Sequence, residues 1–128
     1  MLTAGLIVAV LAAVLHGYIF VMESLTWTSP RTRAVFGMTA EEAESTRLLA
    51  FNQGFYNLFL AIAVALGIAL VAAGRTAVGA TLVLTGAGSM AAAAVVLLLS
   101  SPDKASAALK QGVVPALGVL ALVAGLAL

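Results

Sequence analysis

Four runs of apolar residues, 2–22, 48–73, 76–99 and 112–128, are separated by short polar breaks. A helix needs about 20 mostly apolar residues to cross a bilayer, and each run approaches or exceeds that length. Nothing alternates with period two over a strand length, which argues against a β-barrel. The pattern predicts an all-α integral membrane protein, an antiparallel bundle of four transmembrane helices. It forms a single membrane domain over residues 1–128, with spans at about 2–23, 46–73, 76–99 and 105–128. The fourth span draws on the apolar residues at 105–109. No basic residue precedes the first run. That run therefore reads as a span and not as a cleaved leader, which needs a positively charged start.

The polar connection 24–45 carries its own signals. Ser29-Pro30 is a helix start, with serine as N-cap and proline in the first helical position. Gly37 sits where such a helix would end, which predicts a short interfacial helix over Pro30–Phe36. Thr39 and Glu42 have capping-box spacing, so a long helix should begin near Ala40 and run to Ala73. Its first turns then stand outside the hydrocarbon, with Glu41, Glu42 and Glu44 at the favourable end of the helix dipole. Ser101-Pro102 repeats the start signal before the fourth span. Gly74-Arg75 leaves so short a turn that spans two and three must be antiparallel neighbours.

Composition sharpens the class. Hydrophobic residues make up 63% of the 128, and charged residues 9%, against roughly 25% charged in a soluble domain. Eleven charges cannot cover a soluble surface, so a soluble enzyme, a nucleic-acid binder and a disordered chain are excluded. The net charge of +1 implies no polyanionic partner. Basic residues are unevenly placed. Arg31, Arg33, Arg47, Lys104 and Lys110 fall on one side of the membrane and Arg75 alone on the other. The positive-inside rule then puts the two long connections in the cytoplasm and both termini outside. Trp27 lies at the cytoplasmic interface, where indole rings collect.

Within lipid, helices associate through small residues. Four ridges at i, i+4 spacing are candidates: Gly5, Ala9, Ala13 and Gly17; Ala61, Ala65, Ala69 and Ala73; Thr81, Thr85, Ser89 and Ala93; and Ala121 with Gly125. They serve packing within the bundle or, in the alternative reading, a homo-oligomer interface.

Polar groups at membrane depth carry the functional signal, because each costs a few kcal/mol there. His16 lies inside the first span. Glu23, seven residues on, shares its helix face about 10 Å nearer the cytoplasm. The second span opens with Asn52, Gln53, Gly54, Tyr56 and Asn57. The fourth brings Gln111 with Gly112 and Pro115, which loosen its backbone, and the third brings Ser89. All gather in one half of the membrane. They predict a polar pocket with His16 and Glu23 as acid–base groups, and with Asn52, Gln53, Tyr56, Asn57, Gln111, Trp27 and Ser89 around the ligand. His16 is expected within hydrogen-bond reach of Gln53, Tyr56 or Asn57, directly or through one water, with Glu23 at the mouth. In the plainer reading the amides and serine only bond across helices, and Glu23 pairs with Arg31 or Arg47. One histidine and no cysteine supply no zinc, haem or iron–sulfur ligand set, so no metal or cofactor is expected.

The order of these residues resembles the small bacterial membrane proteins catalogued as domain of unknown function 1304. The motif residues are His16, Tyr18-Ile19, Glu23, Trp27-Thr28, Pro30-Arg31, Val35-Phe36-Gly37, Asn52-Gln53-Gly54, Tyr56-Asn57 and Gln111-Gly112 with Pro115-Ala116. The last departs from the family pattern, since Val113 and Val114 both separate Gly112 from Pro115. The resemblance spans nearly the whole chain. It implies a four-helix protein of the bacterial inner membrane and no assigned activity.

Three functions fit this inventory. One is a pocket open to the cytoplasmic leaflet that binds or modifies a small amphipathic or lipid-like molecule. Another is a proton-coupled carrier of a small solute, although the outer half lacks polar lining and no inverted repeat is evident. The third is a structural subunit assembled through its small-residue ridges.

Overall fold

In a computed structural model describing all 128 residues, the chain forms five α-helices and no strand. They are α1 (Leu2–Phe20), α2 (Pro30–Phe36), α3 (Ala40–Ala72), α4 (Thr76–Ser100) and α5 (Ala105–Ala127). A π-helical turn (Val21–Leu25) extends α1, and a 3₁₀ turn (Pro102–Lys104) leads into α5. α1, α3, α4 and α5, with their extensions, are long and apolar enough to cross a membrane. They form an antiparallel ring in which α1 packs on α3, α3 on α4, α4 on α5 and α5 back on α1. The protein is thus a multi-pass, all-α membrane bundle.

The local signals act where the sequence places them. Ser29 caps α2 by accepting from the Thr32 amide at 3.2 Å. Gly37 ends it in the left-handed conformation, φ 64°. Thr39 and Glu42 close a capping box: the Glu42 amide donates to Thr39 Oγ1 at 3.1 Å and the Thr39 amide to Glu42 Oε2 at 2.8 Å. At the other end of α3, Gly74 (φ 79°) closes a Schellman motif. The Arg75 amide donates to Leu70 O and the Gly74 amide to Val71 O.

As packing faces within the bundle, two of the four ridges need correction. Gly5 and Ala9 are buried, but Ala65, Ala69, Ala73, Thr81, Thr85 and Ser89 are exposed on the outside of the bundle. Thr81 satisfies its hydroxyl on its own helix, at Ala77 O. The buried faces follow Gly5, Ala9, Ala12, His16 and Ile19 on α1; Ala50, Gly54, Asn57, Ala61, Val64 and Gly67 on α3; Gly79, Val83, Gly86, Met90 and Ala94 on α4, with Ala80 and Ala87 beside them; and Ala108, Gly112, Pro115, Gly118 and Leu122 on α5. Their steps are mostly alternating fours and threes. A strict i+4 row turns about 40° around the helix at every step, so it leaves a long contact. Steps averaging 3.5 stay on it, as in left-handed four-helix bundles.

At the end of the bundle holding the termini and the Gly74 turn, the helices touch backbone to backbone. A methyl group at Gly67 would lie 2.6 Å from the Gly79 carbonyl oxygen, and one at Gly5 2.6 Å from the Leu122 nitrogen. Ala9, Ala12, Ala61, Val64, Val83, Ala87, Met90 and Leu122 fill the core between these contacts.

Candidate functional site

Towards the other end, where the two long connections lie, the bundle opens into a cavity of about 480 Å³. Met90 belongs both to the core and to the lining, and so forms the floor. α1 and the π turn bring His16 and Glu23; α3 brings Gln53 and Asn57, one turn apart. α4 adds Ala93 and Leu97, and α5 adds Ala107 and Gln111. The rim comes from the connections and the first turns of α3: Trp27, Phe36, Met38, Glu42, Thr46 and Lys104.

His16 is 2% exposed. Its Nδ1 donates to the Ala12 carbonyl of its own helix at 2.9 Å, not to an amide or phenol of the second span as its depth suggested. Because a carbonyl only accepts, the proton sits on Nδ1, and Nε2 is the basic nitrogen of the neutral ring. Nε2 has no protein partner and is not sealed from the cavity space.

Glu23 is held differently from its expected place at the mouth. It is 9% exposed and accepts from Asn57 Nδ2 at 2.6 Å. The π turn accounts for this. At Val21–Leu25 the backbone widens, and the Thr26 amide reaches back five residues to Val21 O at 3.0 Å. Ser24 then donates to the Phe51 carbonyl of α3 at 2.8 Å. Gly54 makes the approach possible, since a methyl group there would collide with Ser24 and would lie 3.1 Å from Glu23 Cβ. Asn57, one turn beyond Gly54, is thereby set against the Glu23 carboxyl. No cation pairs with Glu23; Arg47 lies 3.4 Å from Glu44 on the surface instead.

The rim is tied together by contacts of Trp27 and Lys104. Trp27 Nε1 donates to Thr46 Oγ1 at 3.1 Å, and its ring packs on Phe36 with centroids 5.0 Å apart. Lys104 Nζ donates to the Phe36 carbonyl at 3.1 Å and lies 3.4 Å from that of Gly37. A lysine there answers the free carbonyls at the C-terminus of α2. It also latches the second connection onto the first, across the cavity.

Of the residues named from the sequence, His16, Glu23, Trp27, Gln53, Asn57 and Gln111 line this one cavity. Asn52, Tyr56 and Ser89 do not. Asn52 is exposed and donates to Leu48 O on its own helix. Tyr56 is 64% exposed, and Ser89 faces outwards on α4. The rim residues Glu42, Thr46 and Lys104 were not named as site residues from the sequence, which reads Glu42 as a helix cap and Lys104 as an orientation signal. The capping box at Glu42 and the start signal before Lys104 were the available pointers. Pro115 offers no amide to the Gln111 carbonyl, yet α5 runs through it unbroken.

Among protein families, the one described as "Protein of unknown function (DUF1304)" matches this chain over residues 10–123. No curated protein and no solved structure matches it.

Proposed function

The chain belongs to that family of unknown function, and from this premise we propose that it binds a small amphipathic or lipid-like molecule in the mostly apolar cavity with its few polar groups. The carrying observation is the cavity's division. Met90, Ala93, Leu97 and Ala107 offer an apolar wall, while His16, Glu23, Gln53, Asn57 and Gln111 offer polar groups at membrane depth. Its volume lies in the roughly 300–1,000 Å³ range of small-molecule sites. Five of the six basic residues lie at the cavity's end of the bundle. In this reading that end is cytoplasmic, both termini are external, and the ligand enters from the inner leaflet or the cytoplasm.

The same groups allow acid–base chemistry on the bound molecule. His16 Nε2 is an unengaged base, and Glu23 Oε1 has no hydrogen-bond partner. If that chemistry operates, His16→Ala and Glu23→Gln abolish turnover without unfolding the bundle.

Native mass spectrometry of the protein from a mild detergent tests the binding. The expected result is a small hydrophobic adduct on the wild type that is missing from Ala107→Trp, whose indole fills the cavity. Equal adduct on both proteins, or none on either, would overturn the reading.

A further inference from the structure

The hydrogen-bonding character of the cavity goes further and, resting on the pocket reading above, names the ligand's chemical class. Glu23 is a buried carboxyl group with a single neutral donor, Asn57, and no cation beside it. Carboxylates at this depth are ordinarily paired. Its Oε1, like His16 Nε2, is an acceptor that nothing in the protein satisfies. A second carboxylate, Glu42, stands at the rim. Lys104 is the one lysine or arginine in the lining, and it donates to backbone carbonyls of α2. Arg31, Arg33, Arg75 and Lys110 lie outside the lining, and Arg47, which shares a neighbouring hollow with Glu23, is paired with Glu44. The rim also presents the packed rings of Trp27 and Phe36, and an indole face attracts cations.

An anionic headgroup would meet two carboxylates and one engaged lysine. A headgroup with N–H donors and positive charge would supply what Glu23 lacks. We propose that the ligand is a cationic amphiphile, a protonated alkylamine whose ammonium pairs with Glu23 while its chain lies along Met90, Ala93 and Leu97. Gln53 and Gln111 orient the head, each offering an amide oxygen.

Trp27 is the sole tryptophan of the chain and lines the cavity, so its fluorescence reports occupancy. The full-length protein in a nonionic maltoside detergent is titrated with decylammonium, decanoate and decanol, which share a chain length and differ in the head. The expected result is a saturable change with decylammonium, at a Kd roughly tenfold or more below that of the other two. In Glu23→Gln, which keeps an acceptor for Asn57, decylammonium falls to the affinity of decanol while the unfolding temperature holds. If decanoate or decanol binds the wild type as tightly as the amine, the cationic class is wrong and the pocket stands. Retention of the amine's advantage in a folded Glu23→Gln has the same meaning. If none of the three gives a saturable change, the pocket itself falls, and this inference with it.

Discussion

The two halves of the bundle solve opposite problems with the same helices. In the half with the termini, glycines bring backbones together, as at Gly67 with Gly79 and Gly5 with Leu122, and alanine and valine fill what remains. Lipid tails give apolar helices no reason to leave them, so this half coheres through close contact. In the half with the long connections, the helices stand around a cavity. Specific polar contacts tie that end: Ser24 on Phe51, Asn57 on Glu23, Trp27 on Thr46, and Lys104 on the end of α2. Close packing occurs in both halves, since Gly54 meets Ser24 and Gly112 meets Ala94 in the second, but the side-chain hydrogen bonds between elements are confined to the half with the cavity. A bundle needing only stability would have packed both alike.

Crowding the tight half should produce the largest effect. Gly67→Leu forces α3 from α4 and should lower stability by about 3 kcal/mol, the upper range for overpacking. Unfolding in mixed micelles measures this, and wild-type stability in that variant would remove the close contact from the account. Next comes the polar half. Asn57→Leu leaves the Glu23 carboxyl with no donor and should cost roughly 1–3 kcal/mol. Adding Glu23→Leu should return much of that loss, and a double-mutant cycle reads the coupling directly. Additive losses would mean that the 2.6 Å contact contributes nothing.

Ala93→Leu adds bulk on the cavity wall and not at a helix contact. It should change stability by less than about 1 kcal/mol, in contrast to Gly67→Leu, while removing bound ligand in mass spectrometry. Releasing the latch with Lys104→Met should be milder still, about 0.5–1 kcal/mol for its hydrogen bond to Phe36 O. Faster hydrogen exchange should appear in α2 and not in α4. The smallest effect belongs to Ala65→Leu. Ala65 sits on the exposed face, so the change should be within about 0.5 kcal/mol. A large loss there, coupled to a change in oligomeric state, would assign the outer ridge to an interface between copies.

The candidate site was partly legible for a reason seen in His16, Glu23 and Asn57. A polar group in an apolar run stands out wherever the helix turns it, so depth and type can be read from order along the chain. Which way a helix is turned cannot. Asn52, Gln53, Tyr56 and Asn57 occupy less than two turns of α3, and only Gln53 and Asn57 reach the cavity. Two of the ridges show the same limit as packing faces within the bundle. Thr81, Thr85 and Ser89 form as regular a row as Gly5 and Ala9, and they face outwards.

What the sequence determined by itself was the set of properties decided within a few residues or by the solvent. Run length against bilayer thickness selects four spans. The hydroxyls of Ser29 and Thr39 and the glycines 37 and 74 set the helix ends, because their hydrogen bonds close over at most five residues. The tertiary structure decided the rotation of each helix, the π turn and the pairing of Glu23 with Asn57. These depend on residues far apart in the chain, such as Gly54 yielding its side-chain space to Ser24. No local pattern records that concession, because a glycine inside an apolar helix looks the same in sequence whether a neighbour fills the space or lipid does.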